Sequence, residues 1–295
     1  MFSLDRDARS ERRMPLKKII LFVLCLLIMP QAVFAAHKTF SPLKVKAAML
    51  VDMKTGRILY QQNMDRVIQP ASLSKIMSLY LISEDIETKK AAYQDLVTVS
   101  PHAVHTGGSK MLFRAGERYE VLDLIKGMAI HSANDASVAL AEHFGGSEEI
   151  FVRRMNAKAK ELGMKDTHFV NPHGLPNKKQ KTTARDIYVL SRDYLRRFPN
   201  SYKIHSIERF AFNDMILTNR NDLLHRYPGA NGLKTGYVCA SGFHLVATAV
   251  RGDTKLMAIV MGAKDRRSRS EQARMLLDYG FDRIGPGRGG TMIGG

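Results

Sequence analysis

Residues 72–82 hold Leu73, Ile76, Met77, Leu79, Tyr80, Leu81 and Ile82, with only Ser72, Ser74, Lys75 and Ser78 as polar members. Wound into a helix, the apolar side chains surround the axis and leave no polar face. Such a helix has to be covered by other elements on every side, so the chain must build a domain around it. Lys75 falls one turn after Ser72 on the same face. A hydroxyl and a cation therefore meet where the helix enters the interior. With 295 residues, 45% of them hydrophobic, the chain has core material for one large domain or two modest ones.

Around this segment the pattern is mixed. Residues 47–51 and 57–60 flank Met53-Lys54-Thr55-Gly56 and read as a hairpin. Residues 121–130 and 134–144 read as two helices broken around His131-Ser132-Ala133. A third helix fits 147–162, with Ser147 as cap and Gly163 as stop. Asn171-Pro172-His173-Gly174-Leu175-Pro176 is a turn-rich loop, and 183–197 is an amphipathic helix. Strand patterns follow at 208–213, 242–250 and 255–262, then a last helix at 268–279. Strands at both ends with helices between predict one mixed sheet whose edges come from distant parts of the chain.

The N-terminus has a targeting layout. Arg12, Arg13, Lys17 and Lys18 precede the apolar run 19–29, and Ala32-Val33-Phe34-Ala35-Ala36 offers small residues for cleavage after Ala35. The run falls short of the ~20 residues of a spanning helix. Residues 1–35 are expected to be a signal peptide, 36–284 a single folded domain and 285–295 a glycine-rich disordered tail. The protein is expected to be exported, periplasmic or otherwise extracytoplasmic. The net charge of +17 suggests an acidic partner, such as an anionic cell-wall polymer or a membrane surface. Export argues against nucleic acid. Cys239 is the one thiol outside the leader and is expected to be a small buried residue.

No metal signature, phosphate loop or dinucleotide fingerprint is present, and no cofactor is expected. Three short motifs carry the chemistry. Ser-x-x-Lys occurs at Ser41/Lys44 and at Ser72/Lys75, and Lys-Thr-Gly at 54–56 and 234–236. Context separates the copies. Ser41 is followed by Pro42 with no helix around it, whereas Ser72 opens the buried helix. The first Lys-Thr-Gly sits at a hairpin tip, where Thr-Gly is ordinary turn chemistry. The second precedes the strand pair 242–250 and 255–262, as a substrate-binding edge strand should. Ser132-Ala133-Asn134 occurs once, between two helices.

Together with Pro70-Ala71-Ser72-Leu73-Ser74-Lys75-Ile76-Met77, Ser132-Ala133-Asn134-Asp135-Ala136, Asn171-Pro172-His173-Gly174-Leu175 and Gly232-Leu233-Lys234-Thr235-Gly236-Tyr237, these motifs resemble the D-alanyl-D-alanine carboxypeptidases. Those are the low-molecular-mass penicillin-binding proteins, serine peptidase family S11. The resemblance runs from about Ala47 to Phe281. It implies an α+β fold of the serine β-lactamase and penicillin-binding-protein transpeptidase type. An antiparallel sheet of about five strands would be flanked by helices, with a helical subdomain from the middle of the chain. It implies Ser72 as nucleophile, Lys75 as base and Ser132 as a proton relay. Asn134, Lys234, Thr235, Gly236, Tyr237 and Arg220 become substrate-binding residues, with the backbone N–H groups of Ser72 and Tyr237 as oxyanion hole. The implied substrate is a peptidoglycan stem pentapeptide ending in D-Ala-D-Ala, and β-lactams are the implied covalent inhibitors.

The sequence departs from the family pattern at Val238, where a threonine is usual. It also lacks the β-rich second domain and amphipathic anchor of many relatives, so no C-terminal membrane anchor is expected. A D,D-endopeptidase or a β-lactamase on the same fold are the alternatives. The region between the second and third motifs offers His173-Gly174-Leu175 where a class A β-lactamase needs Glu-x-x-x-Asn, which favours the peptidase.

Overall fold

The computed structural model describes residues 41–284. The expected signal peptide and glycine-rich tail lie outside them. In chain order the elements are β1 (Ala47–Asp52), β2 (Ile58–Gln62), α1 (Lys75–Glu87), β3 (Leu96–Thr98), α2 (Pro101–His105), β4 (Arg118–Glu120) and α3 (Val121–Lys126). There follow α4 (Asn134–Gly145), α5 (Glu148–Glu161), α6 (Ala184–Arg197), α7 (Ser201–His205), β5 (Arg209–Phe212), β6 (Met215–Thr218) and α8 (Leu223–Arg226). The chain closes with β7 (Ala230–Val238), β8 (Gly242–Arg251), β9 (Thr254–Ala263) and α9 (Arg266–Ile284).

The main sheet has five strands in the order β2-β1-β9-β8-β7. Every pairing in it is antiparallel. The N-terminal hairpin and the last three strands thus meet at β1–β9, and distant segments fill the two edges as the strand placement predicted. Each β1 residue is buried, because both faces are covered. Met49, Val51, Met257, Ile259 and Met261 join the core that wraps α1. Their neighbours Leu50 and Leu256 lie against Gly280 of α9. Alternation along the strands therefore feeds two apolar layers, one on each side of the sheet.

Helix α1 is enclosed as its pattern demands. Ile76, Met77 and Ile82 are fully buried, as is Leu73 in the turn before it, and burying each stabilises the fold by about 1.5–3 kcal/mol. Its polar side chains find partners: Ser78 Oγ donates to Pro172 O at 2.8 Å and Tyr80 OH to Asp193 Oδ2 at 2.7 Å. One cap falls where the sequence put it, at Ser147, and a second forms at Thr183. Ser147 Oγ accepts from Ile150 N at 3.2 Å at the start of α5, and Thr183 Oγ1 from Asp186 N at 3.1 Å at the start of α6.

Three expectations need correction. The helix over 72–82 is a 3₁₀ turn, Ala71–Ser74, followed by α1. The strand at 208–213 does not join the main sheet; it pairs with β6 in a separate two-stranded ribbon. Cys239 is exposed, not buried, since it belongs to the turn after β7, beyond the last residue the sheet covers. The strands β3, β4 and β6 and the short helices α2, α7 and α8 were not foreseen. They are too brief to show a period.

Candidate active site

Ser72 sits in the 3₁₀ turn just before α1. Ala71 has a φ of 51°, a left-handed conformation that costs a residue with a side chain roughly 1–2 kcal/mol. Two glycine backbones hold this turn. A side-chain carbon on Gly174 would fall 1.9 Å from Ala71 O, and one on Gly236 would fall 3.2 Å from Ser72 N. The turn-rich loop and the edge strand β7 thus close on the backbone of Ser72 from opposite parts of the sequence.

Lys75, fully buried, opens α1. Its Nζ lies 3.1 Å from Ser72 Oγ, 2.6 Å from Asn134 Oδ1 and 2.6 Å from His173 O. Burial drives its pKa well below the usual lysine value; the charge of Lys234 lowers it further, and Asp135 acts in the opposite direction.

The second motif hangs on a helix break. A π-helical turn, Gly127–His131, ends at Ser132, whose φ is 66°. π turns and strained residues of this kind concentrate at functional sites. The break turns the chain so that Ser132 Oγ accepts from Lys234 Nζ at 2.9 Å, while Asn134 starts α4 and reaches Lys75. The other amide arm of Asn134 donates to Gly107 O at 2.7 Å, so both arms are engaged within the protein.

Lys234 comes from β7 and is also buried. Besides Ser132 it donates to Thr235 O at 3.0 Å. Burial pushes its pKa down to about 7, with Arg220 and Arg269 adding cationic repulsion. Arg220 donates from Nη2 to Ser109 Oγ at 3.2 Å and from Nε to His131 O at 3.3 Å. Thr235 is buried beside Lys234, and Tyr237 is 51% exposed one residue beyond Gly236.

The structure brings Ser72, Lys75, Ser132, Asn134, Lys234, Thr235, Gly236 and Arg220 into one site, with Tyr237 at its outer lip. The duplicate motifs lie elsewhere. Lys54-Thr55-Gly56 forms the β1–β2 turn, where Thr55 Oγ1 donates to Asp52 Oδ2 at 2.7 Å and Gly56 has φ 75°. Lys44 is exposed in a segment without helix.

Sequence reasoning missed three contributors. His173 supplies the carbonyl that accepts from Lys75. Asp135 accepts from Met111 N at 2.8 Å and from Leu112 N at 3.1 Å. That pins the 107–113 loop, whose Ser109 O accepts from Asn134 N at 2.7 Å. Asp135 had a signal, a carboxylate next to the Ser132-Ala133-Asn134 motif in the first turn of a helix whose middle is mostly apolar. A carbonyl has none in sequence.

The profile of the D-alanyl-D-alanine carboxypeptidase family, peptidase S11, matches residues 33–265. D-alanyl-D-alanine carboxypeptidase DacF of Bacillus subtilis is 39% identical over 243 residues, covering 81% of this chain. The chain spans 62% of that relative's length. Penicillin-binding protein 6B of Escherichia coli superimposes with a TM-score of 0.78 at 38% identity, over 82% of this chain and 78% of the other. Penicillin-binding protein D2 of Listeria monocytogenes, solved in a cefotaxime-bound form, gives 0.75 at 29% identity, over 82% and 99%. The fold is that of the penicillin-binding proteins, as the resemblance implied. The chain belongs to the D-alanyl-D-alanine carboxypeptidase family, peptidase S11.

Proposed function

We propose that this protein is a serine D-alanyl-D-alanine carboxypeptidase that removes the terminal D-alanine from peptidoglycan stem pentapeptides. The observation that carries the reading is the setting of Lys75. A neutral amine has two N–H donors and one lone pair. Two carbonyl oxygens, Asn134 Oδ1 and His173 O, stand at 2.6 Å to take the donors, and the hydroxyl of Ser72 stands at 3.1 Å to meet the lone pair. Burial and the neighbouring cation favour that neutral form.

In this reading Ser72 Oγ attacks the carbonyl carbon between the last two D-alanines, and its proton passes to Lys75 Nζ. The oxyanion is met by the N–H groups of Ser72 and Tyr237; such donors are typically worth about 2.7–4 kcal/mol each. The C–N bond then breaks, and the departing amine takes the proton that Lys75 had accepted, relayed through Ser132. This leaves an ester on Ser72, free D-alanine and a neutral Lys75. Water, deprotonated by Lys75, cleaves the ester and restores the serine hydroxyl. Lys234, Thr235 and Arg220 hold the substrate's terminal carboxylate, and Asn134 keeps Lys75 in place.

β-Lactams enter the same cleft as acylating inhibitors, in line with the cefotaxime-bound relative. Lys75 hydrogen-bonds to neutral oxygens and Ser72 is met by no carboxylate among the described residues, which favours slow deacylation over β-lactamase turnover. Export to the periplasm or cell exterior fits the N-terminal sequence, and no helix among the described residues is long and apolar enough to cross a membrane.

The test is release of free D-alanine from a pentapeptide ending in D-Ala-D-Ala by residues 36–295 and by the Ser72→Ala variant. Release by the first alone supports both the activity and the nucleophile. No release by folded wild-type protein overturns the reading.

A further inference from the structure

Beyond the cleft, the β7–β8 turn lies beside the segment that leads into β1 and beside the end of β9. Together they enclose an open cavity of about 610 Å³. Tyr237 and Phe243 form one wall, with ring centroids 4.2 Å apart and stacked planes. Lys44, Lys46 and Lys264 form the rim, and no carboxylate lines the cavity. Lys46 Nζ donates to Ala240 O at 3.0 Å. The Lys264 side chain is 79% exposed, with Asp265 outside the cavity 3.9 Å away. An aromatic pair half in water, ringed by cations, suits a ligand that offers both apolar surface and negative charge.

The cavity joins the proposed active site along β7. Gly236 packs against Ser72 N, Tyr237 follows it, and Cys239 already lines the cavity. β7 is an edge strand with one side unpaired. A peptide lying along that edge advances about 3.3 Å per residue. Two residues, about 7 Å, therefore carry it from the N–H of Tyr237, where the oxyanion is proposed to sit, to Cys239 on the cavity wall.

We propose that this shelf is a subsite for the acidic portion of the stem peptide upstream of the bond that is cut. The aromatic pair supports the chain and the lysines hold its carboxylate. The proposal rests on the carboxypeptidase reading and adds a preference that the reading does not contain.

The test compares two pentapeptides, L-Ala-γ-D-Glu-L-Lys-D-Ala-D-Ala and the same peptide with the glutamate α-carboxylate converted to a carboxamide. Wild-type protein is expected to cleave the acidic peptide with the higher kcat/KM, by about five- to tenfold. The preference shrinks as salt is raised to about 0.5 M. In the Lys44→Gln/Lys264→Gln variant, whose altered side chains are both exposed, the ratio falls towards one.

Cys239 gives a readout independent of turnover, since it is exposed and lines the cavity. In the Ser72→Ala variant the acidic peptide should slow alkylation of Cys239 by iodoacetamide more than its carboxamide counterpart does. Equal kcat/KM for the two peptides in the wild type, or an unchanged ratio in the lysine variant, overturns the shelf and leaves the carboxypeptidase reading standing. Equal cleavage combined with a loss of binding to anionic phospholipid vesicles in the lysine variant assigns the shelf to a membrane surface and also overturns the proposal. Cleavage of neither peptide by wild type overturns both readings.

Discussion

Replacing Gly174 with alanine tests how Ser72 is held. The substitution acts twice. Gly174 has φ 88°, so an alanine pays roughly 1–2 kcal/mol for the left-handed backbone. The new carbon also falls 1.9 Å from Ala71 O and 2.8 Å from Ser72 N. Carbon–oxygen contacts settle at about 3.3 Å or more, so a gap of about 1.4 Å must open between the loop and the turn. Both sides are backbone and neither can swing away as a flexible side chain could. Overpacking of this kind costs about 1–3 kcal/mol, giving a total loss of about 2–5 kcal/mol. If the turn takes up most of the movement, Ser72 shifts by about 1 Å, enough to slow acylation on the order of 100-fold.

Gly163→Ala is the matched control. Gly163 has φ 77°, but nothing lies within 4 Å of the added carbon. It should cost only the backbone strain and leave acylation unchanged. Urea unfolding gives the stabilities, and the second-order rate of labelling by a fluorescent penicillin gives the acylation. If the two variants lose the same stability and are both labelled at the wild-type rate, the close approach of Gly174 does not position Ser72.

The pH profile of kcat/KM on a carboxylate-bearing peptide should be bell-shaped, rising as Lys75 loses its proton and falling above about 7 as Lys234 loses its own. Arg220→Gln removes a cation that depresses Lys234, so the falling limb should move to higher pH; an unmoved limb means Lys234 is not the group titrating. Asn134→Asp places a carboxylate against Lys75, raises its pKa, and should abolish penicillin labelling at pH 7 with partial return at higher pH; full labelling at pH 7 would refute a neutral base. His173 and His205 are pushed down to about 3 and His244 to about 4, in each case mainly by burial, from 6.5. Their contribution is present above pH 6.5 and is lost as pH falls towards 4, because the unfolded chain binds protons that the folded one refuses. Each contributes a slope on the order of 1.4 kcal/mol per pH unit; urea unfolding that is flat from pH 6.5 to 4.5 would count against buried neutral histidines.

What could be read in the sequence follows from how each feature is encoded. Side-chain chemistry at fixed spacing was legible. Ser72 with Lys75, Ser132 with Asn134, and Lys234 with Thr235 each sit within a few residues, so each pair arrives together wherever the fold puts its segment. The separation of true from duplicate motifs was also legible, since a buried helix and a hairpin tip differ in local pattern. Contacts made by backbone were not. The carbonyl of His173 and the approach of Gly174 to Ala71 depend on a loop about a hundred residues from the helix it touches, and no side-chain type announces them. The ribbon β5–β6 escaped for another reason. β5 reads as a strand like those of the main sheet, its partner β6 is too brief to show a period, and a strand pattern does not say which strand will be the partner.

The buried cations have a common feature that bears on mechanism. Lys75 is bound by Ser72, Asn134 and the carbonyl of His173, and Lys234 by Ser132 and the carbonyl of Thr235. Each of these oxygens is neutral. A carboxylate at the same distance would fix the charge on either lysine and raise its pKa. Neutral oxygens compensate burial only in part and leave the proton free to depart. The carboxylate whose charge reaches Lys75, Asp135, is itself occupied by the N–H groups of Met111, Leu112 and Ala136. Its charge is felt at Lys75 only through space. The fold thus keeps a buried acid to anchor the 107–113 loop and keeps it off the amine. With Lys234 and Arg220 adding positive charge from the other side, the site holds one lysine poised to accept a proton while the cluster as a whole still attracts a carboxylate.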